Sequence, residues 1–148
     1  MAGRRPERCD LKISLLDAGP LVALYDRSSF AHAHYVGLLA DRRINWRLCT
    51  TWPCVVEACH FLRADLRGQM LRWLERGGAS VFPFDQGHLG EMADMMQRYT
   101  EFPRTDMDFA DASLVWLASE TKVTAVMTLD VRDFSRYRLS DGQAFEIL

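Results

Sequence analysis

The sequence predicts a single α/β domain with a mainly parallel sheet that helices cover on both faces. The chain has 148 residues, of which 49% are hydrophobic, which suits one compact domain with one good core. Short apolar runs typical of buried strands alternate with longer stretches that have helical periodicity. Strands separated by helices require right-handed crossover connections, and these give parallel pairing.

The elements follow from local signals in chain order. Pro20 lies near the first turn of the first helix, and Thr51 is expected to cap the helix that begins at Trp52. The Gly77-Gly78 pair ends another helix. Strands are predicted at 12–16, 47–50, 80–84, 124–129 and 144–147, and helices from 19 onward and at 30–41, 52–63, 69–76, 86–99 and 106–120.

The first ten residues differ from the rest, so we predict a flexible basic arm at 1–10 and a folded domain at 11–148. The arm is not followed by a signal-peptide cleavage pattern, and no apolar run is long enough for a membrane helix. These features predict a protein with no membrane contact that works in the cytoplasm.

The cysteines show no C-x-x-C pair, and buried free thiols explain them best. A zinc site formed by Cys54, Cys59 and His60 is the alternative. It is disfavoured because a spacing of five residues spreads ligands around a helix axis. None of the four histidines forms a metal-binding pair at helical spacing, and none is predicted to be catalytic.

The formal net charge is -2, which argues against nonspecific coating of nucleic acid. The basic residues other than Lys12 and Lys122 are all arginine, which suits phosphate recognition near a metal-neutralised site. The candidates for phosphate contacts are Arg42, Arg43, Arg132 and Arg136, with solvated surface charge as the alternative for each.

Four acidic residues lie in strongly apolar segments: Asp17, Glu57, Asp111 and Asp130. Burying an ionised carboxylate costs several kcal/mol unless a cation neutralises it, and no Lys or Arg lies within those segments. The strand ends should bring the four together at one edge of the sheet. Oxygen ligands alone predict a hard cation, Mg²⁺ or Mn²⁺, which can activate water and clamp a phosphodiester.

Each acid also has a structural explanation that the sequence leaves open. Asp17 could form a turn before Gly19-Pro20, Glu57 could be solvated, and Asp130 could cap the next turn. Asp108 is a further candidate metal ligand, but Thr105 predicts a capping box at the start of a helix, in which Asp108 would be only a capping residue. Thr128 is a possible hydroxyl partner of the acids.

In this order, the segments LLDAGPLVALYD, TTWPCVVEACHFL, MDFADASLVWLA and TLDVRDF resemble the PIN-domain family, and within it the VapC-type toxins of bacterial toxin-antitoxin pairs. The resemblance implies a three-layer α/β/α domain, a Mg²⁺ or Mn²⁺ site and endoribonuclease activity on RNA. It places the four family acids at Asp17, Glu57, Asp111 and Asp130, a hydroxyl residue at Thr128, and a polar or acidic position at Asp108. It also implies a homodimer and a cognate antitoxin.

Other functions fit less well. An aspartate-nucleophile phosphatase needs two acids spaced D-x-D after its first strand, whereas Asp17 is followed by Ala18 and Gly19. A receiver domain needs adjacent acids early in the chain and a lysine at a strand end. A PIN-fold module that binds RNA or protein without cutting it is the alternative from another class, and metal-dependent cleavage discriminates it from an enzyme.

Overall fold

A computed structural model describes residues 9–148 as a five-stranded sheet with helices on both faces. The fold class predicted from the sequence is confirmed. The strands are β1 (Asp10–Leu16), β2 (Ile44–Thr51), β3 (Ser80–Phe82), β4 (Ala125–Met127) and β5 (Glu146–Ile147). The helices are α1 (Ala18–Tyr25), α2 (His32–Ala40), α3 (Trp52–Phe61), α4 (Ala64–Glu75), α5 (Leu89–Tyr99), α6 (Phe109–Thr121) and α7 (Val131–Phe134), with one 3₁₀ turn at Gln86–His88.

The strand order is β3-β2-β1-β4-β5, and every pairing between these strands is parallel. The chain therefore builds outward from β1 in one direction, through β2 and β3, and then returns to add β4 and β5 on the other side. β1 and β4 are neighbours across this reversal. In parallel α/β sheets, the crevice beyond the carboxyl ends of two such strands is where ligands bind.

Adjacent residues of the central strands point to opposite faces of the sheet and enter two separate hydrophobic cores. Leu15 and Val126 belong to the core that includes α5 and α6. Leu16 and Met127 belong to the core beneath α1 to α4. This alternation, with a period of two residues, accounts for the three layers.

Helix α6 is buried along most of its length, from Ala110 to Ser119. Its apolar residues cover one face of the sheet. Its first turn, which carries Asp111, reaches the carboxyl edge of the strands. The acid at that position is therefore held by a helix that the core fixes on nearly every side.

The structure changes several of the predicted boundaries. β2 starts earlier, and α4 begins at Ala64 rather than at residue 69. The predicted helix at 106–120 begins at Phe109, because Asp108 is itself the N-cap residue. The capping box predicted between Thr105 and Asp108 is therefore wrong.

Thr51 is the N-cap residue of α3, which begins at Trp52 as predicted, but its side chain does not form the expected capping bond. The Thr51 hydroxyl lies 2.6 Å from the Ser113 hydroxyl on α6 and makes no capping bond to α3. Two polar groups buried between a helix and the sheet pair with each other, which satisfies both in the core.

Asp10, which the sequence assigned to the predicted arm, is the first residue of β1. The predicted arm at 1–10 otherwise falls mainly on residues 1–8, which lie outside the described residues. None of the helices within residues 9–148 is both long enough and apolar enough to span a lipid bilayer.

The position of the Trp73 ring, near the end of α4, can be tested by substitution of a neighbouring glycine. A Cβ added at Gly78 would lie 2.0 Å from Cε2 of the Trp73 ring, whereas one added at Gly68 would meet nothing within 4 Å. We expect Gly78→Ala to lower the free energy of unfolding by about 1–3 kcal/mol, because the ring must move. Gly68→Ala should raise it by about 0.5–1 kcal/mol, because alanine favours a helix interior.

Urea unfolding followed by tryptophan fluorescence measures both changes. Gly68→Ala is the matched control, since it makes the same chemical change inside α4, at a position where an added Cβ meets nothing. Equal stability of the two variants would contradict the described position of Trp73.

Candidate active site

Asp17 lies directly after β1 at the point where the strand order reverses. Its backbone N–H donates to the Met127 carbonyl on β4 (3.0 Å), so the sheet fixes its position. The Ala18 N–H donates to Asp17 Oδ1 at 2.7 Å, which caps α1. The side chain is buried, and this burial raises the pKa of Asp17 to about 6, despite the hydrogen bonds that it accepts.

Thr128 connects two of the acids. Its hydroxyl donates to Asp17 Oδ2 at 2.8 Å and accepts a hydrogen bond from the Asp130 N–H at 3.0 Å. Because Thr128 is itself buried just after β4, this link fixes the Asp17 carboxylate relative to the backbone at Asp130. The sequence indicated a hydroxyl partner here, and the structure gives it two polar contacts.

Asp111 occupies the first turn of α6 and receives a hydrogen bond from the Tyr137 hydroxyl at 2.9 Å. Burial and, after it, the charges of Asp17 and Asp108 together raise the pKa of Asp111 to about 8, against the lowering effect of the Tyr137 hydrogen bond. Burial, followed by the charge and the hydrogen bond of Asp111, raises the pKa of Tyr137, so its hydroxyl stays protonated as a donor.

Asp108 is the N-cap residue of α6, and its Oδ1 accepts the Asp111 N–H at 2.8 Å. Its side chain is exposed and lies in the same cleft as Asp17 and Asp111. The capping contact uses Oδ1 and leaves Oδ2 available for another partner. Asp108 thus caps the helix and also lines the cleft.

Glu57 and Asp130 complete the set at the more accessible side of the cleft. Glu57 is half-buried on α3, and burial together with the charges of Asp108 and Asp17 raises its pKa to about 7. Partial burial and the neighbouring Asp133 carboxyl raise the pKa of Asp130. No capping bond to the side chain of Asp130 forms at the start of α7.

All five predicted acids line one cleft of about 200 Å³. Among the described residues, its lining has no Lys, Arg or His, and the other side chains are small or apolar: Ala18, Gly19, Val22, Phe61 and Leu129. Each acid with a raised pKa is affected by burial, and Asp17, Glu57 and Asp111 also by other carboxylates of the cleft. The cleft therefore concentrates negative charge where water screens it poorly.

The chemistry of these donors suits a hard divalent cation, because all of them are carboxylate oxygens. Within residues 9–148, however, no three His, Cys, Asp or Glu side chains converge closely enough to hold one ion together. Mg²⁺ commonly uses only one or two protein carboxylates and keeps several waters. The residue types therefore fit such an ion, and their roles as ligands stay a prediction.

The zinc alternative gains no support from the described residues. Cys54 is buried, and its Sγ lies 3.9 Å from Asp17 Oδ1 and 3.8 Å from the Ala110 carbonyl. Cys9, Cys49 and Cys59 are also free thiols, but the prediction of burial is wrong for Cys9, which is exposed, while Cys49 is buried and Cys59 is partly buried. Cys54 therefore packs beneath the acids as a small apolar group, as the sequence favoured.

Sequence reasoning missed Tyr137. It follows Asp111 by 26 residues and stands among the charged residues of an irregular segment, where no periodicity indicates burial. Only the tertiary structure shows that α7 turns the following residues back toward α6. A buried tyrosine needs a partner for its hydroxyl, and Asp111 provides one.

The fold and the cleft together define the class: this chain has the PIN-like fold, an α/β/α sandwich with acids at the carboxyl edge of the sheet. Among solved structures, it is similar to the crystal structure of VapC20 from Mycobacterium tuberculosis, described as a sarcin-ricin loop cleaving toxin. The likeness covers 82% of this chain and 92% of that chain, with a TM-score of 0.66 and 13% sequence identity. At this identity, the comparison establishes the fold.

No protein-family model matches the sequence, and no curated protein matches it. The fold implied by the resemblance to PIN domains is thus confirmed through the structure and not through sequence similarity.

The raised pKa of Asp111 predicts how metal-free stability depends on pH. Below its ordinary pKa of 3.8, the carboxyl is protonated in both folded and unfolded chains. Between 3.8 and about 8, the unfolded chain releases this proton and the folded chain retains it. The free energy of unfolding should therefore fall as pH rises through this range.

Asp111→Asn removes this titration. We expect the variant to gain stability relative to the natural chain between pH 4 and 8, by roughly 2 kcal/mol or more at the upper end. Urea unfolding in EDTA at a series of pH values measures the free energy of unfolding of both proteins. Subtracting one from the other removes the contribution of acids elsewhere in the chain. Parallel pH profiles for the two proteins would contradict the burial of an ionisable carboxyl at this position.

Proposed function

We propose that this chain is a divalent-metal-dependent endoribonuclease that cleaves RNA phosphodiester bonds. The observation that carries the proposal is the single cleft lined by Asp17, Glu57, Asp108, Asp111 and Asp130, with no cationic side chain among its described lining. A cluster of this kind is costly to the fold unless it serves a cation. The PIN-like fold and the likeness to an RNA-cleaving toxin support the same reaction.

In this proposal, Asp17 and Asp111 are the principal ligands of Mg²⁺ or Mn²⁺, and Glu57, Asp108 and Asp130 add to the negative field or coordinate directly. When bound, the ion supplies activation of water and stabilisation of the charge that develops on the phosphate. Such binding also offsets the repulsion that raises the pKa values of the acids.

The remaining contacts orient the acids. The Ala18 amide and the Thr128 hydroxyl hold the two oxygens of Asp17, and the Tyr137 hydroxyl holds Asp111 Oδ2. Partners of this kind typically change metal affinity or activity 10- to 100-fold when they are removed. Glu57, with its pKa near neutrality, can exchange a proton at its carboxylate under physiological conditions.

We further propose that the chain is the toxin of a toxin-antitoxin pair, acts in the cytoplasm, forms a homodimer and is silenced by a cognate antitoxin. The resemblance of its motifs and the likeness to a toxin support this role. Exposed apolar side chains on α3, including Trp52, Val56 and Phe61, offer surface for a protein partner beside the cleft. Free cysteines are compatible with a reducing compartment.

An RNA- or protein-binding module without catalytic activity is the second candidate. It would use the same fold but would not need five acids in one cleft. Cleavage that depends on metal and on Asp111 separates the two functions.

The test uses purified protein, freed of any antitoxin, incubated with total bacterial RNA and Mg²⁺ or Mn²⁺. RNA that contains a sarcin-ricin loop belongs among the substrates, since VapC20 cleaves that element. We expect cleavage that EDTA abolishes and that Asp111→Asn reduces by more than about 100-fold, because losing a ligand should cost more than losing its hydrogen-bond partner. Asp17→Asn should behave in the same way.

Asp94→Asn is the matched control, because it makes the same change at an exposed position on α5 outside the cleft. It should cleave at the rate of the natural chain. Cleavage that persists in both Asp17→Asn and Asp111→Asn would overturn the assignment, and intact RNA under all metal conditions would favour the binding module.

A further inference from the structure

A second pocket, of about 470 Å³, has a basic character opposite to that of the acidic cleft. It is lined by Glu101, Arg104, Thr105, Arg132 and Arg136. We call it the arginine pocket. It contains three guanidinium groups from two segments that are distant in sequence. The sequence alone did not indicate that Arg104 lies beside the other two.

The two segments that form the arginine pocket are each followed or preceded, within a few residues, by an acid of the acidic cleft. The loop at 101–105 ends three residues before Asp108, and Arg132 lies two residues after Asp130. Asp108 and Asp130 both line the cleft. The arginine pocket therefore flanks the acidic cleft on the side of these two residues.

Hydrogen bonds join the two walls. The Arg132 guanidinium donates to the backbone carbonyl of Arg104, and the Arg136 guanidinium donates to the Tyr99 carbonyl at 2.9 Å. The Thr105 hydroxyl donates to the same Tyr99 carbonyl at 3.2 Å. Arg132 and Arg136 are thus held by backbone carbonyls, and these contacts fix the loop against α7 and the residues after it.

The charge of the pocket is positive overall. Asp133 pairs with Arg136 at 3.3 Å and lies 3.8 Å from Arg132, and Glu101 is the acidic residue of the lining. Three guanidinium groups therefore face two carboxylates. Within residues 9–148, no carboxylate forms an ion pair with Arg104, whose side chain is exposed.

The structure also separates the arginines that the sequence offered for phosphate contacts. Arg42 and Arg43 precede β2 at the amino ends of the strands, on the edge of the sheet opposite to the acids. Arg132 and Arg136 lie beside the acidic cleft. Arg104 was not among the candidates, but it lines the same pocket as Arg132 and Arg136.

We propose that the arginine pocket binds a phosphate group of RNA adjacent to the phosphodiester in the acidic cleft, with Arg104 as its main contact. This inference rests on the proposed nuclease function. Guanidinium groups suit phosphate because their planar donors match its oxygens in pairs. A contact of this kind positions the strand and carries no sequence information.

The experiment measures RNA binding without cleavage. A short, fluorescently labelled, single-stranded RNA of mixed sequence is titrated with the Asp111→Asn protein in EDTA, and anisotropy is recorded at several salt concentrations. Adding Arg104→Gln should weaken binding about fivefold at low salt. It should also reduce the slope of log affinity against log salt by about 0.7, the value for one phosphate contact on a single strand.

Two further variants distinguish charge from structure. Arg104→Lys keeps the charge and should recover the salt slope, and Arg42→Gln, at the opposite edge, should bind like the parent protein. If Arg104→Gln shows the same RNA affinity and the same salt slope as Arg42→Gln, the proposal is overturned. It is also overturned if the parent Asp111→Asn protein binds no RNA. Because binding is measured in an uncleaving background, the Arg104 effect can hold even if the cleft proves not to cut RNA.

Discussion

Asp17 and Asp111 are buried carboxyl groups that share one cleft with the exposed Asp108, and burial together with the neighbouring carboxylates raises the pKa values of both. Burial and repulsion both favour protons on these groups at neutral pH. The surrounding structure resists this effect by supplying donors: the Ala18 amide, the Thr128 hydroxyl and the Tyr137 hydroxyl. The fold holds carboxylates in an environment that a bound cation would stabilise.

The topology explains why the acids meet. β1 and β4 are neighbours at the reversal of strand order, so the residues that follow them, Asp17 and Thr128, come within 2.8 Å of each other. Helix α6 is packed along nearly its whole length and presents Asp111 to the same edge. Glu57 arrives from α3, which follows β2. The rigid parts of the fold thus position the most buried acids, while the others lie nearer to solvent.

Much of this arrangement was predictable from local patterns. Apolar runs that end in an acid identified β1 with Asp17, and an acid in an apolar helix identified Asp111. Asp108 shows the limit of such reasoning. The sequence offered capping or a place in the site as alternatives, and the structure shows both a cap and a place in the cleft.

The contacts that the sequence missed are long-range and leave no periodic trace. The Tyr137 hydroxyl reaches Asp111 across 26 residues, and Arg132 donates to the Arg104 carbonyl across 28. Both depend on the path of the chain after α7. Thr51 likewise has the sequence of a cap, but its hydroxyl pairs with Ser113 across 62 residues, because a buried hydroxyl takes the partner that the packed core provides.

Titration calorimetry of the metal-free protein with Mn²⁺ at pH 7 measures whether the acidic cleft binds a divalent cation. We expect binding to the natural chain, accompanied by proton release from acids whose pKa values are raised to between about 6 and 8, and loss of that binding in Asp111→Asn. Equal binding by the two proteins, or no binding by either, would contradict this expectation.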